Sequence, residues 1–194
     1  MKTELVFATN NAHKLHEIRA ILGNDYLVHS LSEVGCFDEI RETGDTLQAN
    51  AEIKARYVSE RYCCTCFADD TGLEVDCLQG APGVYSARYA GEDCNSERNI
   101  DKLLAALGGT ENRAAQFRTV IALAENNRLL FFEGVIRGRI AFERSGKGGF
   151  GYDSVFVPDG YDKTFAELPP EIKNSISHRA VATKKLVAYF LMNK

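Results

Sequence analysis

Short apolar runs alternate with amphipathic stretches along this chain. Leu5 to Ala8 is a continuous apolar run, the pattern of a short buried strand. Thr9-Asn10-Asn11 follows, and Asn is a preferred helix N-cap; Leu15, Ile18, Ile21 and Leu22 then recur at helical spacing until Gly23. Tyr26 to Leu31 reads as a second strand, which places the first helix in a βαβ-like crossover. Asp45 or Thr46 caps a helix running to about Arg61. Cys63 to Ala68 reads as a buried strand that ends in Asp69-Asp70-Thr71-Gly72, a turn signal, before a further segment from Leu73 to Leu78 and a loop at Gly80-Ala81-Pro82-Gly83. Asn95-Ser96-Glu97 opens a helix with apolar Ile100, Leu103, Leu104 and Leu107, closed by Gly108-Gly109. Phe117 to Ala124 and Leu129 to Phe142 read as two long strands joined in a hairpin at Glu125-Asn126-Asn127-Arg128. Tyr152 to Val157 is another strand, and Ser177 caps a last helix whose apolar face is Val181, Leu186, Val187 and Phe190. A β-rich middle between helical ends predicts an α/β protein with a mixed sheet. No repeat, low-complexity tract or linker interrupts the pattern, so one domain is expected over residues 1–194.

Composition changes this picture little. A chain of 194 residues, 45% hydrophobic and 26% charged, is that of an ordinary globular domain with a sizeable core. The net charge of −4 argues against a surface that coats nucleic acid. No apolar run approaches the length of a membrane span, and Met1-Lys2-Thr3-Glu4 leads into the first strand without a signal-peptide pattern, so the expected location is cytoplasmic, with neither membrane nor nucleic acid as a partner. Of six cysteines, Cys63, Cys64 and Cys66 invite a metal-site reading. A strand would point Cys63 and Cys64 to opposite faces, and no second Cys/His pair stands at zinc spacing, so all six are read as reduced core cysteines.

The candidate chemistry lies at the ends of these elements. Asp69-Asp70 at the end of a buried strand needs a partner, because desolvating a charge is costly; a divalent cation or a row of Lys and Arg would supply it, although Asp-Asp also starts ordinary turns. Thr9-Asn10-Asn11-Ala12-His13-Lys14 spans a helix N-terminus, a natural anion site, and Lys14 in the first turn opposes the helix dipole as though an anion were near. Glu42-Thr43-Gly44 is either capping chemistry or a second acidic ligand for Mg²⁺. Gly146-Lys147-Gly148-Gly149-Phe150-Gly151 matches a dinucleotide fingerprint as a string only, since a strand rather than a helix is expected after it; a loop rich in backbone N–H still suits phosphate. Phe150 and Tyr152 either stack on a base or pack in the core. Lys173, His178 and Arg179 flank the last cap, and Arg179 again opposes a helix dipole. Phosphate-friendly cations and loops beside carboxylates suited to Mg²⁺ make the composition of a nucleoside-triphosphate site.

With these segments in view, the chain resembles the noncanonical purine NTP pyrophosphatases, also called inosine triphosphate pyrophosphatases. The resemblance runs nearly end to end, through Ala8-Thr9-Asn10-Asn11 to Lys14, Glu42-Thr43-Gly44, Ala68-Asp69-Asp70-Thr71-Gly72-Leu73, Ala81-Pro82-Gly83-Val84-Tyr85-Ser86-Ala87-Arg88, Gly149-Phe150-Gly151-Tyr152-Asp153 and Ser177-His178-Arg179. It implies a long mixed sheet flanked by helices in two lobes with the active cleft between them, and a Mg²⁺-dependent homodimer that hydrolyses ITP, dITP and XTP to the monophosphate and pyrophosphate. It casts Asp70 as proton acceptor and metal ligand and Glu42 as the second metal ligand. Substrate contacts fall to Thr9, Asn10, Asn11, Ala12, His13, Lys14, Thr71, Phe150, Gly151, Tyr152, Asp153, Lys173, His178 and Arg179. Leu47 and Ala49 depart from the residues usual in the family, Phe and Glu.

Overall fold

A computed structural model describes residues 3–193; Met1 and Lys2, on which the reading of a leaderless start partly rests, lie outside them. Twelve helices and strands of the described residues matter here. In chain order they are β1 (Thr3–Phe7), α1 (Ala12–Leu22), β2 (Tyr26–His29), α2 (Leu47–Tyr62), β3 (Cys66–Val75), β4 (Pro82–Gly83), α3 (Ser96–Leu107), β5 (Ala114–Glu125), β6 (Arg128–Ile140), β7 (Phe156–Pro158), α4 (Pro170–Ile176) and α5 (His178–Met192). The strands form one mixed sheet in the order β2-β1-β3-β5-β6-β7, with β4 paired to β3. β1 runs parallel to β2 and to β3, whereas β3–β4 and β6–β7 are antiparallel. The expected mixed α/β sheet is therefore present, and among the described residues no helix is long and apolar enough to cross a membrane.

The chain divides into two compact units. The first comprises the residues up to Asp70, Thr119–Gly134 and those from Arg179 onward; the second comprises Thr71–Arg118 and Val135–His178. In the first unit β1 is buried on both faces, as a parallel central strand must be. Leu5 and Phe7 enter a cluster with Ile18 and Leu22 of α1 and Ala182, Leu186 and Phe190 of α5. Val6 and Ala8 enter another with Ala51, Ala55 and Val58 of α2. β3 repeats the alternation, with Phe67 on the α1–α5 side and Cys66 and Ala68 on the α2 side. This alternation sets up the site described below. The second unit has its own core, in which Ile100, Leu103 and Leu107 of α3 pack with Leu73, Phe117, Ile140, Tyr152 and Phe156.

Local signals place most boundaries. Asn11 caps α1 by accepting from the His13 and Lys14 amides, Thr46 caps α2 and Asn95 caps α3. Asn126 and Asn127, with φ of 50° and 60°, form the tight turn between β5 and β6.

Four expectations are corrected. Asp69-Asp70-Thr71-Gly72 is not a turn: β3 runs unbroken for ten residues through it. The carboxylates find cationic and amide partners where they stand, and Gly72 is needed for close pairing with β4, since a Cβ there would lie 2.6 Å from the Gly83 carbonyl oxygen. Cys63 and Cys64 precede that strand, and Cys63 ends α2 in the left-handed conformation (φ 50°); all six cysteines are free thiols as expected, but only Cys36 and Cys66 lie in the core, with Cys64 half-buried and Cys63, Cys77 and Cys94 exposed. Tyr152 to Val155 forms turns, and the strand begins only at Phe156. An unforeseen helix, α4, opens with Pro at its first positions and ends at Ser177, whose extended backbone separates it from α5.

Candidate functional site

Successive residues of a strand face opposite ways, so Asp69 and Asp70 look into different surroundings. Asp69 shares the side of Phe67, where α1 and α5 pack. Its Oδ1 accepts from Lys14 Nζ at 2.9 Å and its Oδ2 from Arg179 Nε at 3.0 Å, while the Arg179 Nη1 group bonds Glu17. Asp69 and Arg179 are both 1% exposed. Burial pushes the Asp69 carboxyl up, and the Lys14, Arg179 and Lys54 cations outweigh it and hold the group well below the usual carboxylate range. Burial lowers Lys14. The anions that Lys14 and Arg179 oppose the helix dipoles for are thus the protein's own: Asp69 for both, with Glu17 as a second for Arg179.

Asp70 shares the side of Ala68, where α2 packs. Its Oδ2 accepts from Asn50 Nδ2 at 3.2 Å. One helical turn further along α2, Lys54 Nζ donates at 2.9 Å both to Glu42 Oε1 and to the Asp69 carbonyl oxygen. Burial works against the Lys54 ammonium, but Asp70, Glu42 and Asp69 together raise it. Burial pushes the Asp70 carboxyl up, and Lys54 and Lys14 oppose this only in part. The two carboxylates expected to hold a metal are therefore gathered around one lysine. The cluster sets three cations (Lys14, Lys54 and Arg179) against four carboxylates (Glu17, Glu42, Asp69 and Asp70). Among the described residues no group of three His, Cys, Asp or Glu side chains is arranged to hold a metal ion by itself.

Thr9 to Lys14 lie beside this cluster in sequence. The Thr9 hydroxyl accepts from the Asn11 amide at 3.1 Å, and Asn10, Asn11, Ala12 and His13 are exposed at the N-terminus of α1. Asn11 Oδ1 takes two of the amides that end presents, those of His13 and Lys14.

The second unit carries the remaining expected residues. Gly149-Phe150-Gly151-Tyr152-Asp153 is a tight turn closed by Asp153, whose Oδ2 accepts from the Phe150 amide at 2.8 Å and from Lys173 Nζ at 2.5 Å. A Cβ on Gly149 would overlap the Asp153 carboxylate, which accounts for the glycine. Lys173 Nζ also lies 4.9 Å from the centre of the Phe150 ring, a cation–π contact. Phe150 is half-buried, whereas Tyr152 belongs to the core and donates its hydroxyl to the Ser86 carbonyl oxygen at 2.8 Å; burial raises its phenol. Of the two aromatics left open by the sequence, Phe150 is the one with ring surface to offer. His178 is buried and stacked on Phe117 at 4.6 Å between centroids, not solvated. Thr71 continues β3 directly after Asp70.

Sequence reading missed Asn50, Lys54 and Glu17. A signal for the first two was present. The buried stripe of α2 includes Leu47, Ala51, Ala55 and Val58, and Asn50 and Lys54 fall on it at the same helical spacing. Polar residues on a buried stripe require partners, and the partners are Asp70, Glu42 and the Asp69 carbonyl. Leu47 is itself buried at the start of that stripe, so the departure from the family's usual residue leaves the helix packed.

Residues 5–189 match the sequence model of the Ham1 family. A Porphyromonas gingivalis protein described as a dITP/XTP pyrophosphatase is 55% identical over 98% of this chain and 99% of its own length. A Flavobacterium johnsoniae protein of the same description is 51% identical over 95% and 96%. Among solved structures, the Staphylococcus aureus Ham1 protein superimposes with a TM-score of 0.89 at 42% identity, covering 99% of this chain and all (100%) of that one.

Proposed function

The chain belongs to the Ham1 family, and on that premise we propose that it is a Mg²⁺-dependent hydrolase of deaminated purine nucleoside triphosphates, releasing pyrophosphate and leaving the monophosphate. The observation that carries the reading is the Glu42–Lys54–Asp70 arrangement with Lys14 close behind it on Asp69. Glu42 and Asp70 offer hard oxygen ligands on one side of β3, with no sulfur or imidazole among them. Such a pair fits Mg²⁺, which is commonly held by one or two carboxylates together with substrate phosphates. When bound, the ion would neutralise phosphate charge and favour the in-line attack of water.

The protein's own groups do the rest. Asp70 orients a water against the α-phosphorus and takes its proton, a role that rests on its placement beside Glu42 and Lys54. Lys14 and Lys54 offset charge that develops on the phosphate oxygens. The exposed turn from Thr9 to His13 receives the distal phosphates at a helix N-terminus. Arg179 stays at the substrate site with its guanidinium oriented by Asp69 and Glu17. In the second unit Phe150 has ring surface to offer a purine, its turn held by Asp153 and Lys173, and His178 stands at the start of α5. Gly151 and Tyr152 shape that turn, and Thr71, which follows Asp70 along β3, offers a hydroxyl to the substrate. Acceptance of a 6-oxo purine over adenine follows if hydrogen-bond donors face C6, because the adenine amino group would meet them donor to donor. Resemblance to the family further supports a homodimer working in the cytoplasm.

The test is pyrophosphate release from ITP, dITP, XTP, GTP, ATP and dTTP with Mg²⁺, repeated with EDTA. Release confined to ITP, dITP and XTP and lost with the chelator is the expected result. Release from a different base would overturn the substrate, release indifferent to EDTA would overturn the metal, and no release from any of the six would overturn the activity.

A further inference from the structure

We infer that Asn50 is a positioning residue for the reaction: its side-chain amide ties the Glu42–Gly44 loop to Asp70 and fixes how that carboxylate is presented. The inference rests on the role proposed above for Asp70 and extends it to a residue buried behind that carboxylate.

Asn50 is completely buried in α2. Its amide bonds at both ends. Oδ1 accepts from the Gly44 amide at 2.8 Å, and Nδ2 donates to Asp70 Oδ2 at 3.2 Å. These partners leave the amide one orientation: a backbone N–H has no lone pair to offer Nδ2, and a carboxylate has no proton to offer Oδ1. The loop is pressed against the helix at this point. A Cβ on Gly44 would lie 2.8 Å from Asn50 Oδ1 and 2.6 Å from the Ala49 Cβ, so glycine lets the loop approach closely enough to be held. Glu42 stands two residues before Gly44 on the same loop and meets Lys54, which is one turn beyond Asn50 on the same helix. Asn50 and Lys54 together therefore set Glu42 and Asp70 relative to one another from a single rigid element.

A buried asparagine that merely satisfied a loop amide would be indifferent to the far end of its side chain. Asn50→Asp separates the two roles. Aspartate keeps the acceptor for Gly44 and replaces the donor to Asp70 with a like charge. Asn50→Ser is a second variant, uncharged and too short to reach Asp70, and keeps the question open to measurement if the first does not fold. The exchange Asn50→Asp with Asp70→Asn rebuilds the bond in the opposite sense, with residue 70 now donating.

Pyrophosphate release from ITP with Mg²⁺ and thermal unfolding are measured for the wild-type chain and these variants. Asn50→Asp and Asn50→Ser are expected to lose on the order of 10²-fold in kcat, the scale of a misplaced reacting group, with KM changed by less than about threefold. Asn50→Asp is expected to lower Tm, and the exchange to restore most of that loss while remaining inactive. A wild-type chain that is active alongside variants with kcat within about threefold of it would overturn the inference alone. So would an exchange that leaves Tm at the Asn50→Asp value, since the two side chains would not then be coupled. A wild-type chain without activity would instead overturn the functional reading.

Discussion

Asp70→Asn is expected to lower kcat for pyrophosphate release by about 10²–10⁴-fold, the usual contribution of a positioned general base. The fold should survive this change. Asn has the shape of Asp, and its side-chain oxygen can still accept from Asn50 Nδ2 at the place where Asp70 Oδ2 does now. Removing one carboxylate from a cluster with four carboxylates and three cations also relieves Lys54 of only one of its three acidic neighbours. Nucleotide binding, read by calorimetry with ITP, is therefore expected to persist while turnover is lost. Wild-type turnover in this variant would remove Asp70 from the reaction, and a collapse of Tm would mean that the carboxylate is there for stability.

Arg179→Met has the largest expected effect on stability. The guanidinium is 1% exposed and is shared by Asp69, also 1% exposed, and Glu17, at 11%. Methionine fills much of the volume and leaves both carboxylates buried without that partner. Breaking a buried pair in this way typically costs about 3–5 kcal/mol, a large share of the roughly 5–15 kcal/mol by which a domain is stable. For a chain of this size that corresponds to a fall in Tm of about 6–20 °C. Replacing the carboxylates as well, in the triple variant Glu17→Gln, Asp69→Asn, Arg179→Met, should recover much of the loss, because a buried ion cluster exchanged as a whole for neutral groups is often near neutral. An exposed pair such as Arg98–Asp93 offers the contrast, its loss being worth about 1 kcal/mol or less. Urea denaturation of the single and triple variants decides the matter: a single variant within about 1 kcal/mol of wild type would show that Arg179 is not the keystone of this cluster.

The elements that were legible in the sequence are those whose signals are local. Helix α1 carries its cap in Asn11, its stop in Gly23 and its apolar spacing in Leu15, Ile18 and Leu22; α2 and α3 are marked in the same way, and Asn126-Asn127 announces a hairpin. What misled was chemistry settled by distant partners. Asp-Asp-Thr-Gly has every local mark of a turn, yet it continues a strand because Lys14, Arg179, Asn50 and Lys54 arrive from helices before and after it in the chain. Tyr152 carried the mark of a strand, but the glycines around it and the Asp153 carboxylate fold that stretch into a turn. The candidate site was legible in part. Asp70, Glu42 and Lys14 stood out as charges at element ends, whereas Asn50, Lys54 and Glu17 lay inside helical patterns, where a polar residue reads as solvated surface until its burial is known. The division of labour between adjacent carboxylates, Asp69 turned to the cations of α1 and α5 and Asp70 to the amide of α2, follows from strand alternation once β3 is seen to continue through both.

On the proposed reaction, water attacks the α-phosphorus of a deaminated purine triphosphate. The direct measurement is turnover of ITP by the wild-type chain with Mg²⁺ in ¹⁸O-enriched water, with mass analysis of both products. The label is expected in the inosine monophosphate, with none in the pyrophosphate. Label in the pyrophosphate would place the attack at the β-phosphorus, and orthophosphate as the released product would place it at the γ-phosphorus; either would overturn the proposed reaction.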